Sequence, residues 1–99
     1  MLLKKLKAGN ILNLSETVNI KSGYVSLPAG QAVGSHITEN REEVILIIKG
    51  QAEVVCNGKR VSAKKGHLVY IPKESKHNVI NSGRTRLEYL YLVSMLQAS

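Results

Sequence analysis

Two histidines and one glutamate stand at positions from which they could share a metal ion. His36 lies two residues before Thr38 on a segment predicted to be extended, so both side chains leave the same face of the backbone. Glu43 follows a short turn-like stretch, and His77 begins a later strand. Two imidazoles and a carboxylate are the ligands of facial-triad iron sites and of catalytic zinc sites with an open position. His36, Glu43 and His77 are therefore candidate ligands of a divalent metal ion.

Each of these residues also has a simpler interpretation. His36 could be a half-exposed polar side chain, Glu43 an ordinary charged residue at a strand start, and His77 a residue that caps or bridges a turn. The third histidine, His67, lies outside the set, and we interpret it as structural or surface-exposed. All of these interpretations remain open from the residues alone.

The elements that must position these residues are predicted to be short strands. Asn57 and Gly58 predict a tight hairpin turn, because both tolerate the positive φ that such a turn requires. A helix is arguable only for Leu87–Leu96, and the β-prone residues there favour a strand. The predicted strands are Ile11–Leu14, Val18–Ile20, Tyr24–Leu27, Glu43–Lys49, Gln51–Cys56, Lys59–Ser62, Gly66–Pro72, His77–Asn81 and Arg86–Ser94.

Many short strands with hardly any helical periodicity indicate an antiparallel sandwich or small barrel. If the strands that carry His36, Glu43 and His77 are neighbours in such a barrel, the three side chains converge on one point. Tyr24 and Tyr70 are aromatic candidates for a pocket wall, although packing is the simpler role for both.

The spacing of the candidate ligands resembles that of the cupin family. The first cupin motif places two histidines and a glutamate between two glycines, and the matching residues here are Gly30, His36, Glu43 and Gly50. The second motif places a proline, a histidine and an asparagine after a glycine, and the matching residues are Gly66, Pro72, His77 and Asn81. Motif one spans residues 30–50 and motif two residues 66–81, and together with their spacer they cover about half of the chain.

This resemblance implies an all-β, antiparallel double-stranded β-helix, the cupin jelly-roll barrel, with residues 1–99 as a single domain. It also implies that His36, Glu43 and His77 bind a divalent transition metal such as Mn, Fe, Ni or Zn. The family includes dioxygenases, isomerases, decarboxylases, storage proteins and ligand-sensing modules, so the fold does not select a reaction.

Two hypotheses follow from the resemblance. In the first, the metal-bearing barrel is an enzyme of the dioxygenase or isomerase type that acts on a small oxygenated or carbohydrate-like substrate. In the second, the barrel is metal-free and binds a small molecule or serves as an interaction module.

Two positions depart from the cupin pattern. Thr38 occupies the place of the second histidine of motif one, and a neutral hydroxyl is a poor ligand for transition metals. At most three strong ligands therefore remain, and we expect weaker metal binding than in a four-ligand site. Glu74 stands where motif two has glycine, which removes an easy route to positive φ. We expect the turn before His77 to be reshaped.

Composition limits the partners and the compartment. The net charge of +7 permits a nucleic-acid partner, but the lysines are scattered and no nucleic-acid-binding motif accompanies them. We therefore do not expect nucleic-acid binding as the main role. Cys56 is the single cysteine and Met1–Lys7 does not resemble an export signal, so we expect a cytoplasmic protein. The longest apolar run, Val44–Ile48, is too short to span a membrane.

The strand Glu43–Lys49 predicts a second covered surface. Val44 and Leu46 point away from the face that Ile45 and Ile47 share, so both faces of this strand need cover. The N-terminal strands are one candidate for this cover and a second copy of the chain is the other. We predict a homodimer, because two-fold assemblies are the commonest and are usual among cupins.

Overall fold

The computed structural model describes residues 1–96, and every regular element in that range is a β-strand. The strands are β1 (Gly9–Leu12), β2 (Ile20–Leu27), β3 (His36–Ile37), β4 (Arg41–Lys49), β5 (Gln51–Cys56), β6 (Lys59–Lys64), β7 (Leu68–Ile71), β8 (Lys76–Ile80) and β9 (Leu87–Met95). They form a five-stranded sheet in the order β1-β2-β9-β4-β7 and a four-stranded sheet in the order β3-β8-β5-β6, with antiparallel pairing throughout. Residues 1–96 contain no helix that could cross a membrane. The predicted all-β, antiparallel fold class is confirmed.

The core lies between the two sheets. Ile45 and Ile47 of β4 are 0% and 1% exposed, because alternation along the strand turns both toward the opposite sheet. That sheet contributes Ala52 and Val54 of β5 and Val79 of β8 to the same cluster. Burial of these branched side chains supplies the main free energy that holds the sheets together.

The hairpin turn is where sequence and structure agree most closely. Asn57 and Gly58 have φ values of 50° and 82°, as the predicted turn requires, and they join β5 to β6. The amide group of Asn57 also binds the start of β8, since its Oδ1 accepts a hydrogen bond from the Lys76 backbone N–H at 3.0 Å. The turn therefore fixes the position of the strand that carries His77.

The N-terminal strands are predicted less well. The proposed strand Val18–Ile20 is wrong, because the Thr17 hydroxyl bonds to both the N–H and the C=O of Ile20 and closes a local turn. Beyond this turn, Ile20–Leu27 forms one continuous strand, β2, instead of beginning at Tyr24. The first strand begins two residues earlier than predicted, at Gly9.

Two residues of the cupin-like motifs have backbone roles. Gly50 has a φ of 85°, and a Cβ at this position would lie 2.7 Å from the carbonyl oxygen of Arg86, so only glycine fits without distortion. The buried Asn81 amide donates hydrogen bonds to the carbonyls of Leu27 and Thr85, both at 2.9 Å. Asn81 thus joins the end of β8 to the end of β2 and to the loop before β9, and Gly50 lets the end of β4 approach that loop closely.

Candidate metal centre

Three candidate ligands converge at one end of the space between the sheets. His36 of β3 is the direct partner of His77 in β8, and Glu43 of β4 approaches both from the five-stranded sheet. One possible ligand atom from each residue lies within 4.8 Å of the other two. We call these three residues the His–Glu–His cluster.

The route to this convergence differs from the prediction that the three strands are neighbours. β3 and β8 are adjacent, but β4 pairs with β7 and β9 in the facing sheet. The chain changes sheets between β3 and β4, at a turn where Asn40 has a φ of 53°. Because of this crossing, the carboxylate faces the imidazoles across the interior instead of lying beside them.

His77 is the most buried member of the His–Glu–His cluster, with a side chain that is 0% exposed. Its Nδ1 lies 3.3 Å from the Ser75 carbonyl oxygen, which can only accept, so this hydrogen bond requires a proton on Nδ1 and, in the neutral ring, leaves the lone pair on Nε2. This Nε2 has no hydrogen-bond partner in residues 1–96 and lies 3.7 Å from Glu43 Oε1. A buried polar atom without a partner is uncommon in folded proteins.

His36 presents its ring in a similar way at the exposed side of the cluster. Its Nδ1 lies 3.1 Å from the Gly34 carbonyl oxygen, which leaves Nε2 available. The His36 and His77 rings meet edge to face, with centroids 4.1 Å apart and planes at 62°. Both imidazoles are thus oriented by a backbone carbonyl two residues earlier, as metal-binding histidines commonly are.

Glu43 controls the protonation of its neighbours. The Glu43 carboxylate, 3.7 Å from Nε2, raises the pKa of His77 above the usual 6.5, against the opposing effect of burial. Burial raises the pKa of Tyr89, and the charge of Glu43 raises it further, so this phenol stays protonated.

Thr38 has a structural role in place of the missing histidine. Its side chain is buried, and its hydroxyl donates to the Pro72 carbonyl at 2.7 Å and accepts from the Ser75 N–H at 2.9 Å. The Thr38 N–H also donates to the Ser75 carbonyl, the same oxygen that orients His77. Thr38 therefore fixes the backbone next to the His–Glu–His cluster.

The expected reshaping at Glu74 is wrong. Glu74 adopts a φ of 55° despite having a side chain, so it keeps the positive φ that glycine would supply. Its carboxylate accepts a hydrogen bond from the Asn40 N–H at 2.9 Å, and its own N–H donates to the Thr38 carbonyl at 2.8 Å. These two hydrogen bonds hold Glu74 at a positive φ that residues other than glycine rarely adopt.

A cavity of about 330 Å³ opens next to the His–Glu–His cluster, and His36, Thr38 and Glu43 line it. Four further polar residues in its wall were not predicted as site residues, namely Lys21, Arg41, Tyr89 and Tyr91. For the two tyrosines a signal was present in the sequence: Tyr89 and Tyr91 alternate along β9 and therefore lie on one face of the strand.

The remaining aromatic and histidine residues lie outside this cavity. Tyr24 and Tyr70 donate hydrogen bonds to Glu88 and Glu42 at 3.1 and 2.7 Å and do not line it. The exposed His67 accepts a hydrogen bond from the backbone N–H of Lys64 through its Nδ1, in agreement with a structural role.

Comparison with known proteins gives the same fold. The family described as Cupin domain matches residues 23–93. An oxalate-binding protein of Thermotoga maritima is 33% identical over 72 residues, which are 73% of this chain and 60% of that protein. An uncharacterized Methanocaldococcus jannaschii protein is 28% identical, and the match covers 79% of this chain and 62% of that protein. The chain thus spans about three fifths of the length of these curated relatives.

Solved structures extend the comparison. A Thermotoga maritima protein described as a predicted oxalate decarboxylase superposes with a TM-score of 0.83 at 28% identity, covering 88% of this chain and 77% of that chain. The cupin domain of Schizosaccharomyces pombe Cnp3 superposes with a TM-score of 0.82 at 20% identity, covering 88% and 62% of the two chains. The second likeness supports the fold alone. The predicted jelly-roll barrel is confirmed.

Proposed function

Because the chain belongs to the cupin domain family, we propose that it holds one divalent transition-metal ion through His36, Glu43 and His77 and binds a small molecule beside it. The observation that carries this proposal is the buried Nε2 of His77, which has no hydrogen-bond partner in residues 1–96 and is directed at Glu43. Ligands about 2.0–2.2 Å from a shared ion lie at most about 4.4 Å apart, and the 3.7 Å separation of these two groups fits that limit.

The donor set selects the class of ion. Two imidazoles and a carboxylate suit Mn, Fe, Ni and Zn better than Ca or Mg, which prefer oxygen ligands. Such an ion would polarise an oxygen of the bound small molecule or acidify a water. Thr38 and the Ser75 carbonyl hold the His77 imidazole in place, and Tyr89 remains a protonated phenol.

The relatives support a small-molecule ligand. The Thermotoga maritima relative is named for binding oxalate, and oxalate is of a size that a cavity of about 330 Å³ can hold. This cavity is near the small end of the range for ligand pockets.

We also propose a cytoplasmic location. The single cysteine, Cys56, is a free thiol that lies half-buried against the core, as is usual in a reducing compartment.

Metal content of histidine variants tests the proposal. Protein without a polyhistidine tag is reconstituted separately with Mn, Fe, Ni and Zn, and bound metal is measured by elemental analysis. We expect about one ion per chain in the wild type, and loss of this ion in His77→Gln. The matched control is His67→Gln, which removes a histidine outside the cluster and should retain the metal. Equal metal content in His77→Gln and the wild type would refute the assignment.

A metal-free barrel is the competing function, and Thr38 is the observation that favours it. The hydroxyl that replaces the second motif-one histidine is engaged with Pro72 and Ser75, so it cannot serve as a fourth ligand. In this case the cavity binds a small molecule or serves as an interaction module without an ion. Absence of metal from the wild type after all four reconstitutions would support this alternative.

We also propose that two copies of the chain associate through the outer side of the five-stranded sheet. Pairing places Val44 beside Tyr70 and Leu92, which are 54% and 40% exposed. We call this surface the outer apolar face, and its members are Ile20, Val44, Leu68, Tyr70 and Leu92. Exposed apolar patches of this kind commonly mark association surfaces.

Light scattering of charged variants tests this association. Leu92→Glu places a charge in the middle of the outer apolar face, and we expect it to convert a dimer to a monomer at micromolar concentration. Val61→Glu is the matched control, because Val61 is likewise exposed, at 50% against 40% for Leu92, but belongs to β6 of the other sheet. A monomeric wild type would refute the proposed dimer.

A further inference from the structure

We propose that the cavity selects a small dicarboxylate, with one carboxylate at the His–Glu–His cluster and the other held by Lys21 and Arg41. The inference rests on the proposed function, because it assigns a ligand class to the same cavity. It concerns two side chains that no family motif specifies.

The charge of the cavity wall is the first argument. Lys21 and Arg41 line the cavity and are half-buried, whereas Glu43 is the only acidic residue in the described wall. Neither cation lies within ion-pair distance of a carboxylate in residues 1–96. A divalent ion at the cluster would add two further positive charges. The cavity therefore has an excess of positive charge that an anionic ligand would offset.

The donors of the two cations remain available to a ligand. The Nε of Arg41 donates to the Glu39 carbonyl at 3.1 Å, which fixes the base of the guanidinium. The terminal nitrogens of that group can then present two parallel N–H donors, the geometry that matches a carboxylate. The Lys21 ammonium adds a point charge without a required direction.

The register of the sheet separates the backbone positions of Lys21 and Arg41 from that of Glu43. Lys21 pairs with Val93, and Val93 pairs with Glu43, so Lys21 lies two strands from the carboxylate. Neighbouring strands are about 4.8 Å apart, which puts the Cα atoms of Lys21 and Glu43 roughly 10 Å apart. Arg41 lies two residues from Glu43 on the same face of β4, about 7 Å along the strand. Lys21 and Arg41 thus enter the cavity from β2 and β4, at backbone positions distinct from those of the cluster, and their long side chains can reach a second anionic group of a ligand whose first lies at the cluster.

The rest of the wall limits the size of that ligand. The ring of Tyr91 lies against the backbone of Gly23, where an added Cβ would be 2.4 Å from the phenol oxygen. Val33 and Val93 supply apolar surface beside it. A cavity of about 330 Å³ with such walls suits a short carbon spacer between the two carboxylates.

Calorimetric titration tests the inference with defined probes. Oxalate, malonate and succinate are the dicarboxylates, malonamide is the uncharged analogue, and inorganic phosphate is the single-centre anion. Each is titrated into untagged protein loaded with Zn and into protein treated with a chelator. The site variants are Lys21→Gln and Arg41→Gln. The matched controls are Lys65→Gln and Arg84→Gln, which remove the same charges beside Gly50, at the opposite end of β4.

We expect at least one dicarboxylate to bind the Zn-loaded protein, with affinity at least about tenfold lower in each site variant and unchanged in both controls. Lys21→Arg, which keeps the charge, should retain most of the affinity. Malonamide should not bind measurably, and phosphate should bind more weakly than the best dicarboxylate.

Two results would overturn the inference. Equal weakening in site variants and controls would show that only the overall charge matters, and tighter binding of phosphate or malonamide would refute the ligand class. Metal content measured without any anion separates this failure from failure of the metal proposal. If the protein binds Zn while Lys21→Gln and Arg41→Gln bind dicarboxylates normally, the inference fails and the metal site stands.

Discussion

The two ends of the space between the sheets share strand β4 but have opposite chemistry. At the end near Gly50, β4 turns Ile47 into a dry core that is almost fully buried. At the other end, the same face of β4 carries Arg41 and Glu43 beside an open cavity. The backbone pleat is continuous along β4, so on this strand the difference arises from side-chain type.

This contrast separates stability from function within one strand. The core end has apolar groups that gain free energy from burial. The cavity end has a buried Nε2 of His77 without a partner and two cations, Lys21 and Arg41, without a carboxylate partner in residues 1–96. Such local costs are expected where a protein binds a ligand. Substitutions at the two ends should therefore affect different measurements.

The largest expected effect is on stability, from the core end. Ile47→Ala should lower the free energy of unfolding by about 2–5 kcal/mol, because it leaves a cavity beside Tyr89 and Val54. Urea unfolding followed by circular dichroism measures this loss. The folded fraction should still bind metal as the wild type does. Loss of metal from folded Ile47→Ala would contradict the separation of the two ends.

Thr38→Val should lower both the stability and the metal affinity, because Thr38 holds the backbone together and also positions His77. It removes the hydroxyl that bonds Ser75 and Pro72, at a cost of about 1–3 kcal/mol. Metal affinity should also fall, by about 10–100-fold, since the Ser75 carbonyl orients His77. Thr85→Val, at an exposed position, is the matched control and should change neither quantity. Unchanged metal affinity in Thr38→Val would show that Thr38 does not position His77.

Gly23→Ala should alter the cavity wall and leave the metal ligands in place. An added methyl group meets the Tyr91 ring, so the ring must move, at a cost of about 1–3 kcal/mol that rotation of the ring can reduce. Dicarboxylate affinity should change while metal content stays constant. Gly83→Ala is the control, because its Cβ would be 3.5 Å from its nearest neighbour, Asn81. Identical ligand affinities in the two variants would exclude a role for the Tyr91 ring.

The smallest expected effect is the change in stability of the metal-free protein with pH. Glu43 raises the pKa of His77 in the folded state, so the ion pair stabilises the fold fully below the ordinary value of 6.5. This contribution is lost as the pH rises through the raised pKa. The melting temperature of chelator-treated protein should fall over this range, and His77→Gln should remove the slope.

Metal affinity should have the opposite pH dependence, because the proton on His77 Nε2 competes with the ion. Affinity should thus rise over the same range. His67→Gln should leave both slopes unchanged, since this residue lies outside the cluster. If stability and metal affinity changed in the same direction with pH, the proposal that His77 pairs with Glu43 and also binds the ion would be wrong.

The sequence is most informative where structure depends on neighbouring residues. Asn57 and Gly58 predict their turn because the required φ angles are local properties, and β5 has the predicted bounds Gln51–Cys56. The alternation that places Glu43 on the face of Ile45 is likewise visible in the sequence.

Long-range pairing limits the rest of the prediction. Lys21 belongs to the cavity because β2 pairs with β9, at the far end of the chain, and no local pattern states that register. The transfer of the chain between sheets at Asn40 is similarly decided by tertiary contacts, including the hydrogen bond from its N–H to Glu74. The structural role of Thr38 depends on its hydrogen bond with Ser75, which is distant in the sequence. The sequence therefore shows that Thr38 replaces a histidine ligand, but it does not show what Thr38 does instead.

Anomalous scattering from a crystal of untagged protein, reconstituted with Zn and measured on both sides of the absorption edge, tests the proposal that His36, Glu43 and His77 hold an ion. We expect one peak in contact with His36, Glu43 and His77, with Nε2 as the donor atom of both imidazoles. A peak at His67 or Cys56, or no peak near the His–Glu–His cluster, would contradict it.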